Sequence, residues 1–484
     1  MFASHAPDPR NSSERLVFAN LYESLVAVDC KGALVPGLAE SWTASEEGRV
    51  WLFSCRSDVF FADGTRCRAQ EIEACWSARR KSAAASSPPW ARFDALDATV
   101  KALNDTILIV TLARAREDLP NLLALPAFAV TKRAKGEAWP LGTGPFRAAA
   151  KSAATADALI LTANPHRAVA TKSSRIVCVI RPGWDERDLI ASDVDALLVR
   201  DRAALEYAES RGEFAQVALE PDRLYVLLTP PTPPAPPADT TAISFEERVD
   251  TRRALGGWDR AELARDVVSA DARGANSLCF GDATDEPVVI RRSEAARAYD
   301  ADSAAAARPA PLDATASAES PLLAALNVPV ENRIVYPSDD DEARRLAERM
   351  AALASDSVAV PPIVSGLSND EFERVVASGA AVACILPIDR RYARACFEMG
   401  ALIGMAKWLE DAALANGRPA ADTSPETPTA RGVENRLIKS GAAIPLVATR
   451  PNLLAKQGIV GFRRSGEGTL LLEGAGWAAA RAVP

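Results

Sequence analysis

The stretch of the chain that decides the fold runs from residue 17 to residue 80 and reads VFANLYESLVAVDCKGALVPGLAESWTASEEGRVWLFSCRSDVFFADGTRCRAQEIEACWSARR. Within it, an apolar run over residues 21–28 meets a turn at residues 29–32. The Pro–Gly pair that follows predicts a short helical turn over residues 36–42. Residues 49–56 alternate apolar and polar side chains, and this period of two predicts a half-buried strand.

The end of this stretch predicts a tight turn and then a helix. Asp63 and Gly64 form a dipeptide that is typical of tight turns. Over residues 68–80 the apolar side chains recur at the spacing of an amphipathic helix. They are Ala69, Ile72, Cys75 and Trp76. Residues 98–112, further along, predict two strands around a turn.

This succession resembles the opening signature of the bacterial solute-binding proteins of family 5, the receptors that deliver dipeptides, oligopeptides, nickel and some sugars to ABC importers. The family's order is a tyrosine–glutamate pair, an aspartate–glycine turn, proline–glycine–leucine–alanine, serine–tryptophan, a strand, and an aspartate–glycine–threonine turn before a helix. The matching positions here are Tyr22 and Glu23, residues 29–32, 36–39, 41–42, 50–56 and 63–65.

A second motif of the same resemblance is LGTGPF at residues 141–146. Its two glycines predict backbone torsions that are closed to other residues, and Pro145 fixes the exit from the turn. In the family this motif marks the return of the chain to its first domain. Weaker matches follow at residues 159–166, 193–196, 252–268 and 437–462, so the resemblance reaches both ends and the middle of the chain.

Length and charge set the broad class of the protein. A chain of 484 residues predicts two or three domains, and its net charge of −8 argues against a nucleic-acid partner. No uninterrupted apolar run reaches the roughly 18 residues that a membrane span needs. Residues 1–15 are polar and lack the apolar core of a secretory signal. Because the family usually has a leader and a first strand there, we expect either a trimmed chain or a shortened member.

The later part of the chain predicts alternating strands and helices. Strands are expected at residues 333–336, 358–364 and 380–388, with helices at 338–354 and 369–378 between them. Such alternation implies right-handed crossovers and a parallel core.

The resemblance implies an α/β, two-lobed fold of the periplasmic-binding-protein class, with an extra small domain, mixed sheets flanked by helices and a hinge between the lobes. We expect a discontinuous lobe 1 over residues 1–48, 142–240 and 430–484. A small accessory domain is expected over residues 49–141 and lobe 2 over residues 241–429.

The sequence predicts neither catalysis nor a metal or cofactor site. It contains no G-x-S-x-G elbow, P-loop or H-E-x-x-H motif, and the only histidines are His5 and His166. Carboxylate runs at residues 46–47 and 339–341 fit turns and helix caps better than catalysis. We therefore expect a binding protein and not an enzyme, although a hydrolase remains a distant alternative.

Eight cysteines leave two interpretations open. They are Cys30, Cys55, Cys67, Cys75, Cys178, Cys279, Cys384 and Cys396, and no C-x-x-C pair occurs among them. Several lie where an apolar residue is expected, which favours buried free thiols over disulfides. Export would favour a bridge among the first four.

The resemblance points to the loop LPIDRRY at residues 386–392 as a ligand-binding segment. In peptide-binding relatives an aspartate there pairs with the amino terminus of the ligand, and Asp389 fits it. Leu386 stands where the family has tryptophan, and the family's tyrosine–proline–aspartate–proline is missing, and these departures argue against amine recognition. Arg390 or Arg391 could instead face a ligand carboxylate or phosphate. Alternatively, Asp389 caps a helix over residues 390–400.

The resemblance also implies the remaining candidate ligand residues. Tyr392 lies in the same loop as Asp389. Tyr22 and Glu23 belong to a segment that contributes to the rim of the cleft in relatives. Their alternatives are core packing for Tyr22 and a surface charge for Glu23.

The function that the resemblance implies is that of the extracytoplasmic binding component of an ABC importer. It would hold a peptide or a similar polar solute in the cleft between its lobes and present both lobes to the permease. We expect a monomer that is periplasmic or anchored at the cell surface as a lipoprotein. The alternative is a ligand-sensing or partner-binding module of the same fold that is no longer coupled to transport.

Overall fold

A computed structural model describes residues 3–29, 33–81, 88–94, 96–116, 118–149, 158–181, 183–231, 259–264, 272–279, 332–356, 358, 360–390, 399–414, 429–465 and 469–478. The chain divides into two compact units. The first unit is Met1–Glu220, Arg391–Ala393 and Pro451–Pro484, and the second is Pro221–Arg390 and Arg394–Arg450.

The described α-helices are α1 (Ser12–Leu21), α2 (Ala69–Arg80), α3 (Pro88–Asp94), α4 (Leu119–Leu123), α5 (Glu186–Ala191), α6 (Arg202–Arg211), α7 (Arg260–Leu263), α8 (Asp341–Ser355), α9 (Asn369–Ser378), α10 (Met399–Gly404), α11 (Lys407–Leu414) and α12 (Ala430–Lys439). None of these described helices combines the length and the apolar character that a membrane span requires.

The described strands are β1 (Val26–Val28), β2 (Leu34–Pro36), β3 (Ala39–Ser45), β4 (Val50–Cys55), β5 (Thr99–Ala102), β6 (Ile107–Thr111), β7 (Phe146–Ala148), β8 (Ala158–Ala163), β9 (Arg175–Val179), β10 (Ala196–Val199), β11 (Phe214–Ala218), β12 (Arg223–Leu228), β13 (Arg273–Gly274), β14 (Arg333–Pro337), β15 (Ile363–Leu367), β16 (Ala383–Asp389), β17 (Ala443–Thr449), β18 (Asn452–Lys456), β19 (Ile459–Val460), β20 (Arg463–Arg464), β21 (Leu470–Leu471) and β22 (Gly476–Trp477).

The opening stretch of the chain builds a four-stranded antiparallel sheet in the order β3-β4-β6-β5. Trp51, Phe53 and Cys55 alternate along β4 and are buried, as the period of two predicts. Helix α2 lies against β5 and β6 and buries Ile72 and Trp76. The predicted strand at 49–56, helix at 68–80 and strand pair at 98–112 are confirmed.

The short helical turn predicted over residues 36–42 is wrong. The chain is extended there, because β3 pairs with β4 between Ala39 and Ser45, with a register shift between Ala39 and Ser41. The backbone N–H groups of Leu38 and Ala39 also donate to the carbonyls of Ser24 and Leu25. Pairing with segments on both sides supplies hydrogen bonds that a single helical turn could not offer.

The glycines of the LGTGPF motif are required by close packing of the backbone. A Cβ atom on Gly142 would lie 2.0 Å from the carbonyl oxygen of Leu21, and one on Gly144 would lie 2.7 Å from the same oxygen. Neither glycine has a positive φ. The predicted need for glycine is therefore met through close approach of the chain to the end of α1, and not through special torsions.

The buried Asn20 joins the start of the chain to its end within the first unit. Its Nδ2 donates to the carbonyl oxygen of Leu470 at 3.0 Å, and its Oδ1 accepts from the backbone N–H of Leu472 at 2.7 Å. The side chain thereby satisfies one donor and one acceptor of a buried segment, which would otherwise cost free energy.

The first unit also contains two three-stranded sheets. Their orders are β7-β8-β9 and β10-β18-β11, and all pairs within them are antiparallel. Strand β8 overlaps the family match that begins at residue 159. The carboxylate of Asp185 accepts from the backbone N–H of Asp188 and caps α5.

The second unit contains a six-stranded sheet in the order β13-β17-β12-β16-β14-β15. Strand β14 pairs in parallel with β15 and with β16, whereas β12 is antiparallel to both of its neighbours. The predicted parallel core is thus confined to three strands, and the sheet is mixed. Helix α8 packs against one face of this sheet, and helices α9 to α12 pack against the other face.

Two predicted boundaries in this unit need correction. The helix expected from residue 338 begins at Asp341, because Asp340 is its N-cap and accepts from the backbone N–H of Ala343. The strand expected from residue 358 begins at Ile363, directly after Pro361 and Pro362. Proline has no N–H for a sheet ladder, so pairing starts once both prolines have passed.

The predicted lobes place β12 and β17 in lobe 1, but in the division by contacts both strands belong to the second unit. The three-part organisation with an accessory domain over residues 49–141 stays a prediction.

Five cysteines are free thiols: Cys55, Cys67, Cys75, Cys178 and Cys384. Burial raises the pKa of the Cys178 thiol to about 11 and that of Cys55 to about 12. The free-thiol interpretation is confirmed for these five and wrong for Cys279, which is disulfide-bonded. Cys30 and Cys396 lie outside the described residues.

The predicted turn at Asp63 is tied to Lys132. Asp63 Oδ1 accepts from the backbone N–H of Thr65 at 3.0 Å, and Oδ2 pairs with Lys132 Nζ at 3.0 Å. The partial burial of the carboxyl raises its pKa, but these hydrogen bonds and the charge of Lys132 outweigh burial, so the pKa is lowered.

Replacing Asp63 by Asn should remove a stabilising contribution that depends on pH. Because the folded-state pKa is lowered, the contribution is present above the unfolded-state value of about 3.9 and is lost as the pH falls through the folded-state value. At pH 7 we expect the free energy of unfolding of wild type to exceed that of D63N by less than about 1 kcal/mol, since the pair of Asp63 and Lys132 is partly exposed. Urea unfolding at pH 7 and pH 3 measures the difference.

The exposed Asp58 supplies the matched control, and D58N should match wild type at both values of pH. A difference between wild type and D63N that is equal at pH 7 and pH 3 would contradict the role of the Asp63 carboxylate.

Candidate functional site

Polar side chains gather at one end of the six-stranded sheet. Asp389 is the last residue of β16, Arg223 is the first residue of β12, and Thr449 is the last residue of β17. In the register of the sheet Arg223 lies directly opposite both of the others, so the three side chains share one face. Asp340 follows β14 and caps α8 at the same face. This is the carboxyl end of the parallel strands, where open α/β sheets bind ligands.

Arg223 bridges two carboxylates. Its Nε donates to Asp389 Oδ1 at 2.7 Å and its Nη1 to Asp340 Oδ2 at 2.9 Å. The exposed fraction of the side chain is 24% for Arg223, 22% for Asp389 and 8% for Asp340. Burial acts to lower the pKa of Arg223, but Tyr225, Asp389 and Asp340 outweigh it and raise that pKa. The guanidinium therefore stays charged.

Tyr225 lies beneath this bridge, two residues along β12. Its buried hydroxyl is 2.7 Å from Glu342 Oε2 and 3.0 Å from Asp340 Oδ1. Burial, together with the charges of Glu342 and Asp340, raises the pKa of Tyr225, so the hydroxyl keeps its proton. A phenol has one proton to donate, so it serves one of the two carboxylates at a time.

We call Arg223, Tyr225, Asp340, Glu342 and Asp389 the sheet-end cluster. Its side chains are held by each other, which fixes the position of the Asp389 carboxylate. In the described part of the chain no group of three or more His, Cys, Asp or Glu side chains is arranged to hold a metal ion.

The prediction of a loop over residues 386–392 is wrong for residues 386–389, which belong to β16 because they pair with β12. The predicted ligand residues of this segment have different outcomes. Asp389 is in the sheet-end cluster. Arg390 uses its backbone N–H to donate to the carbonyl of Asp222 at 2.6 Å. Residues 391–398 lie outside the described residues. They include Arg391, Tyr392 and most of the helix that was predicted over residues 390–400. The roles of these residues in ligand binding stay predictions.

Tyr22 and Glu23 belong to the first unit. Tyr22 is buried, packs edge-on against Phe18 at 5.8 Å between ring centroids, and donates from its hydroxyl to the carbonyl of Pro140 at 3.2 Å. Burial raises the pKa of Tyr22 despite the opposing charge of Arg79. These contacts match the core-packing alternative, and a role of Tyr22 in ligand binding stays a prediction.

Glu23 is paired with Arg167 in a three-way bridge. Arg167 Nη1 donates to Glu23 Oε1 at 2.8 Å and to the carbonyl of Thr143 at 3.1 Å, while its Nε donates to Glu473 Oε1 at 3.0 Å. Burial acts to lower the pKa of Arg167, but Glu23 and Glu473 outweigh it and raise that pKa. Glu23 is thus a partly exposed member of an ion-pair network, and its role in ligand binding stays a prediction.

The sequence analysis missed Arg223, Tyr225, Glu342 and Arg167. Arg223 carried a signal, since it is a charged residue at the head of the apolar run RLYVLL. The run of aspartates at residues 339–341 was assigned to a helix start, and Asp340 does cap α8. Its second contact, with Arg223, depends on pairing across more than a hundred residues.

Replacing Tyr225 by Phe should lower the free energy of unfolding by about 1–3 kcal/mol, because it removes the hydroxyl shared by two buried carboxylates. Urea denaturation measures the change. Tyr207 is the matched control, since its hydroxyl accepts a 3.3 Å bond from Arg211 on the surface of α6. We expect Y207F to change stability by less than about 0.5 kcal/mol. A Y225F variant as stable as wild type would show that the hydroxyl carries no stabilising role.

Comparison with known proteins gives one family and a set of similar folds. The model of the bacterial extracellular solute-binding proteins, family 5 Middle, matches residues 33–310, more than half of the chain. The nickel-binding periplasmic protein of Escherichia coli strain K12 is 33% identical over 139 residues, which are 26% of this chain and 25% of that protein. The periplasmic oligopeptide-binding protein OppA of the same strain is 29% identical over 147 residues, 26% of each chain. These matches span only about a quarter of each curated relative.

The similarity to solved structures extends over almost the whole chain. The murein tripeptide binding protein MppA of Escherichia coli has a TM-score of 0.68 at 17% identity, covering 99% of this chain and 96% of that one. NikA from Brucella suis, in complex with Fe(III)-EDTA, has a TM-score of 0.66 at 17% identity, covering 96% and 95%. The predicted fold class, a mixed α/β fold of the two-lobed periplasmic-binding-protein type, is confirmed. On the strength of the family match, the chain belongs to the bacterial extracellular solute-binding proteins of family 5.

Proposed function

We propose that this chain is the extracytoplasmic solute-binding receptor of an ABC importer and that it binds a peptide or a similar polar solute. The family supports a binding role, since the relatives carry names such as oligopeptide-binding and murein peptide-binding protein. The observation that carries the proposal in this chain is the sheet-end cluster. It holds a partly exposed carboxylate, Asp389, in a fixed position at the carboxyl end of the second unit's parallel strands.

Charge-assisted hydrogen bonds from a fixed carboxylate suit the amino end of a peptide. Asp389 is held from behind by Arg223, so a ligand finds it already oriented and the ordering cost of binding is reduced. We propose that the residues in contact with the solute are Asp389, Arg390, Arg391, Tyr392, Tyr22 and Glu23.

The remaining parts of the proposal follow from the family. We propose that the protein works outside the cytoplasmic membrane, either free in the periplasm or anchored as a lipoprotein, that it is a monomer, and that it delivers its solute to an ABC permease. The family's members are binding proteins, and we propose that this chain likewise turns over no substrate. A screen with generic peptide and ester substrates should therefore show no hydrolysis.

A second candidate is a ligand-sensing or partner-binding module of the same fold. The departures in residues 386–392 favour it, since Leu386 replaces the tryptophan that peptide-binding relatives place there. Solute uptake by vesicles that contain the candidate permease separates the two. Uptake that depends on this protein supports the receptor, whereas solute binding without uptake supports the sensing module.

The first test is a thermal-shift screen against di- to pentapeptides, amino acids, oligosaccharides and metal ions. A solute that binds only the folded state adds about 2.7 kcal/mol of stability at a hundred times its dissociation constant. We expect peptides to give this shift and Asp389→Ala to abolish it. Asp370→Ala, at an exposed position on α9, should leave the shift intact. A screen in which no class of solute shifts the transition would contradict the receptor proposal.

A further inference from the structure

The sheet β7-β8-β9 of the first unit has an exposed outer face. The side chains on its inner face, such as Phe146 and Leu161, are buried in the apolar core of that unit. Side chains alternate between the two faces of a strand, so Val177 and Val179 of β9 lie on the outer face, where they expose 49% and 41% of their surface. Ile160 of β8 is the cross-strand partner of Val177. Apolar side chains that stand together on a surface are typical of interaction sites.

The same face carries two arginines without a counter-charge. Exposed Arg147 of β7 and exposed Arg175 of β9 both lie opposite Thr162 of β8, so the three side chains form a row across the sheet. Because neighbouring strands are about 4.8 Å apart, the backbones of the two arginines are separated by about 10 Å. Arg147 Nε donates to Thr162 Oγ1 at 3.4 Å, and no carboxylate among the described residues pairs with either arginine.

The scarcity of acidic residues extends along the sequence of this sheet. Residues 158–184 contain three arginines, one lysine and no aspartate or glutamate, in a chain whose net charge is −8. Arg167 of this stretch is neutralised by Glu23 and Glu473 from other segments, whereas Arg175 is not. The outer face is therefore a positive surface on an acidic protein, and it is complementary to a partner that carries carboxylates.

The outer edge of β9 offers backbone hydrogen bonds. Among the strands that the structure describes, β8 alone pairs with β9. The carbonyl of Ser174 accepts from the backbone N–H of Ala163 on β8, and backbone groups alternate in direction along an antiparallel strand. The N–H and C=O groups of Arg175, Val177 and Val179 therefore point away from β8. An edge of this kind can pair with an added strand.

These features favour an extended polypeptide as the occupant. A strand beside β9 would use the outward backbone groups, and its alternate side chains would lie opposite Val179, Val177 and Arg175. An anionic lipid surface supplies negative charge but no row of backbone donors and acceptors for the edge. A second copy of this chain that paired through β9 would bring further arginines to the face and no carboxylate.

We propose that the outer face and open edge of β9 form a docking site for an extended segment of a partner protein, which adds an antiparallel strand to this sheet. The segment has apolar residues opposite Val179 and Val177 and an acidic residue opposite Arg175. In chain order its pattern is an apolar residue, any residue, a second apolar residue, any residue and an acidic residue. The site belongs to the first unit, and the inference does not depend on the solute that the protein binds.

Fluorescence anisotropy with labelled, end-capped peptides tests the charge of the partner. The probe is Thr-Val-Thr-Val-Thr-Glu-Thr, and a second peptide has lysine in place of glutamate. We expect the full chain to bind the glutamate peptide at least about tenfold more tightly, because lysine replaces a charge-assisted pair with Arg175 by repulsion. Arg175→Glu should reverse this preference. Arg56→Glu, at an exposed position after β4, is the matched control and should keep it.

N-methylated versions of the glutamate peptide test the open edge. In the antiparallel pairing the N–H groups of the two valines face β9, and those of the threonines face away. Methylation of the valine nitrogens should weaken binding at least about tenfold, because it removes ladder hydrogen bonds, whereas methylation of the two threonine nitrogens that flank the second valine should be tolerated.

Three results would overturn the inference. The first is that the glutamate peptide fails to bind at concentrations up to about 1 mM. The second is that R175E or valine N-methylation leaves its binding unchanged. The third is that R175E self-associates in sedimentation experiments while wild type binds no peptide, which would show that Arg175 only protects the edge from pairing between copies. Binding of phosphatidylglycerol vesicles in place of the peptide would likewise contradict a polypeptide partner.

Discussion

The partly buried ion bridge of Arg223 is the constraint on which the second unit depends. A guanidinium that has lost three-quarters of its exposure needs counter-charges within hydrogen-bond reach, and removing one partner of such a pair costs about 3–5 kcal/mol. Asp389 and Asp340 supply those charges from β16 and from the start of α8. The bridge therefore ties a strand, its neighbour and a helix cap to one another at a single point.

The register of the sheet follows from the same requirement. Side chains alternate between the two faces of a strand, so a slip of one residue would turn Arg223 and Tyr225 together to the opposite face. That face is packed by the apolar core of helices α9 to α12, which offers no partner for a charge. The apolar residues of β12 are buried on both faces of the sheet, because helices cover both faces. The polar side chains therefore lie at the strand ends.

The first unit is held together differently, by hydrogen bonds of single polar side chains that connect distant segments. Asn20 satisfies backbone groups of a strand some 450 residues away, and Arg167 joins Glu23 to Glu473 and to the carbonyl of Thr143. The close approach of Gly142 and Gly144 to the end of α1 belongs to the same arrangement. The motifs at residues 22–23 and 141–146 are thus neighbours in space.

The sequence by itself determined the family, the fold class and most of the local elements. Periodicity was sufficient for β4 and α2, because the burial of one face leaves a pattern in consecutive residues. The Pro–Gly turn signal at residues 36–42 was wrong, because pairing with β4 overrode it. No local pattern predicts the antiparallel placement of β12, which depends on partners far along the chain. The residues of the candidate site likewise fall into those that the sequence predicted and those that only the structure revealed. Asp389 could be named from a motif, whereas Arg223, Tyr225 and Glu342 join it only through strand register and helix packing. A sequence pattern records what each segment buries, but which charges meet depends on distances between segments, and only the tertiary structure sets those distances.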